Sequence, residues 1–254
     1  MIDIHMFPCL QDNYGFLLHC RETGVTATID TPEVAPIEAA LEEQGWTLTH
    51  VLNTHHHFDH AGGNEELKAR HGCTVVGPKA DEARIPGIDV CVGQDDVYEL
   101  GAIKLQVFDV PGHTSGHIAF YAQDAKAAFV GDTIFALGCG RLFEGSPEQM
   151  WTSIQKLMAL PDDTQIYCAH EYTQSNARFA LTVDPDNQAL TDRAKQIDDA
   201  RSRGEATVPT TLALEKATNP FLRPMAESLR ATLGMLNADD AAVFAETRNR
   251  KDNF

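Results

Sequence analysis

The chain has 254 residues, 43% apolar and 22% charged, and its 20 basic and 37 acidic side chains leave a net charge of −17. That length and apolar content suffice for one large domain, or a main domain with a smaller appendage, whose core needs no disulfide staples. The acidic balance excludes a broad face for nucleic acid or anionic membrane, and it requires any anionic ligand to be met by a local basic patch.

In chain order, the opening MIDIHMFPCL lacks a basic stretch followed by a long apolar core, so no secretory signal is read. No apolar run approaches the ~20 residues of a membrane span. The six cysteines (Cys9, Cys20, Cys73, Cys91, Cys139 and Cys168) form no CxxC pair and read as small core residues. Together these features predict a reduced, cytoplasmic protein. FLLHC (16–20) and VTATID (25–30) read as strands, and EVAPIEAALEEQG (33–45) as a helix with Val34, Ile37, Ala40 and Leu41 on one face. LTHVLNT (48–54) is a strand, NEELKARHG (64–72) a helix closing on Gly72, and CTVVG (73–77) a strand. IKLQVFDV (103–110), HIAFYA (117–122) and AAFVG (127–131) follow as strands. SPEQMWTSIQKLMALP (146–161) is a helix with Ser146 as N-cap and Pro147 in its first turn, and TQIYCA (164–169) is the last clear strand. Beyond Glu171 only helical patterns recur, at 184–204, 224–236 and 238–250. The expected organisation is an α/β domain over 1–172 and a helical domain over 173–254.

The segment THHHFDH (54–60) holds four of the chain's 11 histidines together with an aspartate. An isolated histidine is a packing or surface group by default, and His5, His19, His50 and His71 take that reading. The pattern His55-x-His57-x-Asp59-His60 differs because it directly follows a strand. In an extended segment positions i and i+2 face the same way, so His55 and His57 converge while His56 points elsewhere. Asp59 and His60 come where the chain turns into the next helix and address a second locus. His113, in PGHTSGH, follows IKLQVFDV; Asp132 follows AAFVG; His170 follows TQIYCA. Each lies just past the end of an apolar run, where a sheet holds convergent side chains rigidly. His55, His57 and His113 supply three imidazoles to one ion. Asp59, His60 and His170 supply three groups to another, and Asp132 bridges. Nitrogen and carboxylate donors without thiolates suit zinc, iron(II) or manganese, and three ligands plus a bridge leave a position open for water. Thr54 and His56 read as partners that orient ligands, and His117 as a brace of its turn.

The motifs HxHxDH (55–60), GHTSGH (112–117), GD (131–132) and the late His170 resemble the metallo-β-lactamase superfamily in their order. GCGRLFEG (138–145), AHEYT (169–173), NPFLR (219–223) and RNRKDNF (248–254) narrow the resemblance to hydroxyacylglutathione hydrolase (glyoxalase II) of bacterial type. The resemblance implies a four-layer αββα sandwich with a C-terminal helical domain that contributes to glutathione binding. It also implies hydrolysis of S-D-lactoylglutathione to D-lactate and glutathione, the second step of methylglyoxal detoxification, at a site for two divalent ions, zinc foremost, with iron or manganese as alternatives. Carried over residue by residue, it implies substrate contacts by Arg141, Tyr172, Arg248 and Lys251. Phe143 stands where some members have tyrosine, so the hydrogen bond of that hydroxyl is absent.

The chemistry agrees. A thioester releases a thiol of pKa about 8.5, judged from the cysteine side chain, so it departs as thiolate without a dedicated general acid. The reaction needs hydroxide at neutral pH and a stabiliser of the developing oxyanion, both within the reach of bound metal. Asp59, beside the hydroxide, is a candidate to orient it or to take its proton. The rival readings are a glutathione-persulfide dioxygenase, which shares the early histidine pattern, and a non-catalytic metal-binding protein. No protein partner is implied.

Overall fold

The computed structural model describes all of residues 1–254, which divide into two compact units drawn from non-contiguous segments. The first comprises Met1–Asp109 and Ser115–Gly131, the second Val110–Thr114 and Asp132–Phe254.

The first unit is built on two sheets. One contains, in spatial order, Ile2–Cys9, Asn13–Cys20, Thr26–Ile29, His50–Leu52, Thr74–Pro78 and Val90–Val92. Its first three strands are antiparallel and the rest pair in parallel. In the other, Ala127–Gly131, Ile118–Ala122, Ile103–Asp109 and Val97–Leu100 form an antiparallel run. FLLHC is buried along almost its whole length because both faces of its strand are covered. Phe16 meets Phe129 of the second sheet at 5.8 Å between ring centroids, while Leu17 faces the opposite way into a core with Ile37, Ala40, Leu41, Val51, Leu67 and Val75. The helices Val34–Gln44 and Asn64–His71 supply Ile37, Ala40, Leu41 and Leu67 to that core and end immediately before Gly45 and Gly72.

The second unit carries the helix Pro147–Met158, the strand pair Gln165–Cys168 and Thr210–Thr211, and the helices Thr173–Val183, Gln188–Ser202, Leu212–Thr218, Glu227–Leu233 and Asp240–Asp252. Ser146 caps Pro147–Met158 in a full capping box with Gln149. Phe221 stacks on Phe179 and meets Phe244 edge-on, and Phe244 stacks on Trp151. No helix of the chain is long and apolar enough to cross a membrane.

All eight expected strands form, within a few residues at each end, and so do the six expected helices. Several shorter elements were not read from the sequence, among them the strands Val90–Val92 and Val97–Leu100 and the helices Phe58–Ala61 and Leu212–Thr218, and two longer ones escaped it for physical reasons. Ile2–Cys9 is an outermost strand, only half-buried over Ile2–Met6, so its alternation is weak. Thr173–Val183 buries Thr173 and Asn176 beside Ala177 and Ala180, and these polar residues on its inner face mask the apolar stripe.

Candidate metal centre

In the first unit the ligand cluster begins where His50–Leu52 ends. Asn53 is fully buried and its Nδ2 donates to the His60 carbonyl at 2.8 Å, folding the 54–60 segment back on itself. Nε2 of His55 lies 3.1 Å from Nδ1 of His57, and the His55 and His60 rings are 4.0 Å apart. Asp59 and His60 stand on the single-turn helix Phe58–Ala61, with Oδ2 of Asp59 3.5 Å from Nε2 of His60. Asn13 Nδ2 donates to that same carboxylate oxygen at 3.2 Å. The His56 ring lies 4.9 Å from that of His57, but its Nδ1 is engaged elsewhere, 3.0 Å from buried Asp81. His117 is fully buried with its ring stacked on His55 at 4.6 Å.

Asp30 organises this half, and the sequence reading missed it. It follows the strand Thr26–Ile29 and is buried. Its Oδ1 accepts the Thr54 N–H at 2.7 Å, and its Oδ2 accepts the Thr54 hydroxyl and Nδ1–H of His60, each at 2.8 Å. Because the Thr54 proton is directed to Asp30, the Thr54 oxygen accepts Nδ1–H of His55 at 3.1 Å. Both imidazoles are therefore held with Nε2 unprotonated, the form that ligates metal. The signal was present: Asp30 ends the run VTATID as Asp132 follows AAFVG.

In the second unit His113, Asp132 and His170 come together, all buried. His113 Nδ1 donates to the Arg141 carbonyl at 2.8 Å, which turns Nε2 toward Asp132 Oδ2 at 3.3 Å. His170 Nε2 lies 3.5 Å from the other oxygen, Oδ1. The turn carrying His113 rests on the helix Pro147–Met158: Ser153 Oγ donates to the Pro111 carbonyl at 2.7 Å, and a Cβ on Gly112 would lie 2.7 Å from Met150 Sδ. A Cβ on Gly140 would lie 1.9 Å from the Asp132 carbonyl oxygen, so only glycine lets the 138–141 loop pass over that residue.

The donors are five imidazoles and two carboxylates. Cysteines do not compete with them. Five of the six are buried, and burial raises Cys139 to about 11 and Cys168 to about 12, far from the thiolate a metal needs. Such nitrogen and oxygen donors, with at least three imidazoles held in the ligating tautomer, fit a divalent metal site. The remaining histidines have ordinary partners: His19 stacks on Trp46, His5 on Phe7, His50 Nδ1 lies 2.8 Å from the Thr49 hydroxyl, and His71 pairs with Glu38.

The residues expected to meet substrate also lie in the second unit. Arg141 is 61% exposed, and its Nε is 3.5 Å from Oδ1 of Asp252. Phe143 is exposed, its ring edge-on to His113 at 5.2 Å. The Tyr172 ring stacks on His170 at 4.7 Å and 5°. Arg248 is buried, with Nη1 donating to the Cys139 carbonyl at 2.9 Å and Nη2 to Asp252 at 2.8 Å. Lys251 Nζ is 3.4 Å from the Ser175 carbonyl and faces the rings of Phe179 and Phe254.

Two sheets, and in each unit histidine and aspartate donors just past strand ends, fit one class: a metallo-β-lactamase-superfamily αββα sandwich with a C-terminal helical domain, and that superfamily implies a site for two divalent ions. Residues 22–170 match the family model of the metallo-beta-lactamase superfamily, and residues 171–254 match that of the hydroxyacylglutathione hydrolase C-terminus. The chain belongs to the hydroxyacylglutathione hydrolase family: it is 57% identical over 251 residues to the hydroxyacylglutathione hydrolase of Maricaulis maris, covering 99% of this chain and 98% of that one. Among solved structures, ETHE1 from Myxococcus xanthus is similar with a TM-score of 0.68 at 25% identity, covering 99% of this chain and all of that one. A protein solved in a di-iron-bound form, TTHA1623, is similar with a TM-score of 0.61 at 25% identity, covering 87% of this chain and all of that one.

Proposed function

We propose that this chain is a cytoplasmic hydrolase that cleaves the thioester of S-D-lactoylglutathione and related 2-hydroxyacylglutathiones to the hydroxy acid and glutathione. The similarity to hydroxyacylglutathione hydrolases runs the full length, through the C-terminal family match over residues 171–254, and this observation carries the substrate assignment. His55, His57 and His113 are assigned to one ion, Asp59, His60 and His170 to the other, with Asp132 shared. Zinc is the first choice, and the donor set also suits iron or manganese. Residues 1–172 form the catalytic domain and 173–254 the substrate-binding domain.

When bound, the ions lower the pKa of water toward neutrality and polarise a carbonyl. The protein's own residues do the rest. Asp30 and Thr54 hold His55 and His60 in the ligating tautomer, and the Arg141 carbonyl does so for His113. Asn13 hydrogen-bonds the Asp59 carboxylate, the group assigned to orient the attacking water or take its proton. Arg141, Arg248 and Lys251 supply local positive charge for the carboxylates of glutathione in an otherwise acidic protein. Tyr172, on His170, and the apolar Phe143, beside His113, are assigned to substrate contact. Water adds its oxygen to the acyl carbon and gives its proton to Asp59 or to solvent, the C–S bond breaks as the tetrahedral centre collapses, and the thiolate leaves without a dedicated proton donor and equilibrates with solvent.

The test is hydrolysis of S-D-lactoylglutathione by protein loaded with two equivalents of zinc, iron or manganese, paired with metal analysis of the same sample. Turnover that is lost on chelation is expected. Loaded protein that is inert toward thioesters but consumes oxygen with glutathione persulfide is instead a dioxygenase, and one inert to both is a metal-binding protein without this activity.

A further inference from the structure

Asp252 is the last residue of the helix Asp240–Asp252, and local helix energetics disfavour it there. An acid at a helix C-terminus opposes the macrodipole, and Arg248 four residues earlier gives the less favourable order for a helical ion pair. Tertiary contacts offset this. Oδ1 of Asp252 accepts Nη2–H of Arg248 at 2.8 Å and lies 3.5 Å from Nε of Arg141. Arg248 is itself immobilised: it is 6% exposed, bonded to the Cys139 carbonyl and packed over Phe221 at 5.1 Å. Arg141 is the opposite, a long and largely exposed side chain that would otherwise sample many rotamers. Its backbone carbonyl meanwhile holds His113. The buried guanidinium thus anchors a carboxylate, and the carboxylate holds the Nε edge of the exposed guanidinium of a residue whose backbone carbonyl bonds a candidate metal ligand.

We propose that Asp252 is a positioning residue for substrate recognition: tied down by Arg248, it holds the Nε side of Arg141 so that the Nη groups of Arg141 are presented to a carboxylate of the glutathione thioester. The proposal rests on the functional reading above. An Arg141 already ordered in the free protein loses less conformational freedom on binding, so the ion pair works by preorganisation. Asp252 does not touch the reacting atoms, and its effect belongs in binding rather than in the chemical step.

The experiment uses the full-length, metal-loaded protein, S-D-lactoylglutathione, the same thioester with both carboxylates esterified, and S-methylglutathione as a non-hydrolysed ligand whose Kd is read by calorimetry. Asp252→Asn is expected to raise KM and Kd about tenfold with kcat little changed, the scale of a close charge pair. KM for the diester should match that of the parent protein. Arg141→Ala should show the same pattern, and the double variant should be no worse than Arg141→Ala alone, because both changes act on one guanidinium. Full additivity or an unchanged KM overturns the proposal. So does a lower Kd, which would make Asp252 a competitor for Arg141. If Asp252→Asn yields too little folded protein, Asp252→Ser carries the same comparison. Parent protein that neither binds nor hydrolyses the glutathione compounds overturns the functional reading and this proposal together; an active parent with unaltered variants overturns this proposal alone.

Discussion

Lys251 holds its ammonium group half out of water, 5.3 Å from the ring centres of both Phe179 and Phe254. Burial first, then repulsion from Arg248 and Arg178, brings its pKa down to about 8, with Asp252 acting weakly in the opposite sense. Its charge is present below that value and lost above it. KM for an anionic glutathione thioester is therefore expected to climb as pH passes about 8. Lys251→Ala should raise KM at neutral pH and flatten the climb, which steady-state kinetics from neutral to alkaline pH will check. At this scale the sequence was informative about residue type and poor about state. A basic pair at positions 248 and 251 was legible as a candidate anion site. That one member is buried against Cys139 and the other desolvated over two aromatic rings was not, because both conditions come from partners distant in the chain.

The helix Pro147–Met158 shows what an element contributes. Its capping box, its proline at the first position and its inward face of Met150, Trp151, Ile154 and Leu157 are all encoded locally, and its start was read correctly from the sequence. Its consequence was not. Ser153 and Met150 seat the Pro111–Gly112 turn, and through it His113. Ser146→Ala is expected to cost about 1 kcal/mol, read as a lower denaturant midpoint at unchanged m-value. The helix Thr173–Val183 makes the converse case. Asn176 Nδ2 donates to the Ala136 carbonyl at 3.1 Å, so a polar residue occupies the inward face and the periodicity test fails where the element serves a loop.

At the scale of the molecule, the second unit joins the 133–140 loop to the C-terminal helices through one buried network. Glu215 Oε2 accepts the Leu137 N–H at 2.9 Å, Asn219 Nδ2 donates to the carbonyls of Phe135 at 3.1 Å and Gly138 at 3.0 Å, and Arg193 pairs with Glu215. Glu215→Ala would strand the Arg193 charge in the interior, a change that typically costs 3–5 kcal/mol, about 10 °C in Tm for a chain of this size. Thermal unfolding of that variant is the check. A Tm near that of the parent would show that the network is not under load.

From its sequence alone this protein revealed the longer strands other than the first, most of the helices, the identity of every candidate ligand and the family resemblance. Those follow from short-range periodicity and from motifs that survive as linear text. Only the tertiary structure disclosed Asp30 beneath His60 and Thr54, the carbonyl of Arg141 behind His113, and the line from Cys139 through Arg248 and Asp252 to Arg141. Each is a hydrogen bond or ion pair between residues that are neighbours only after folding, and neither periodicity nor spacing carries information about such a pairing.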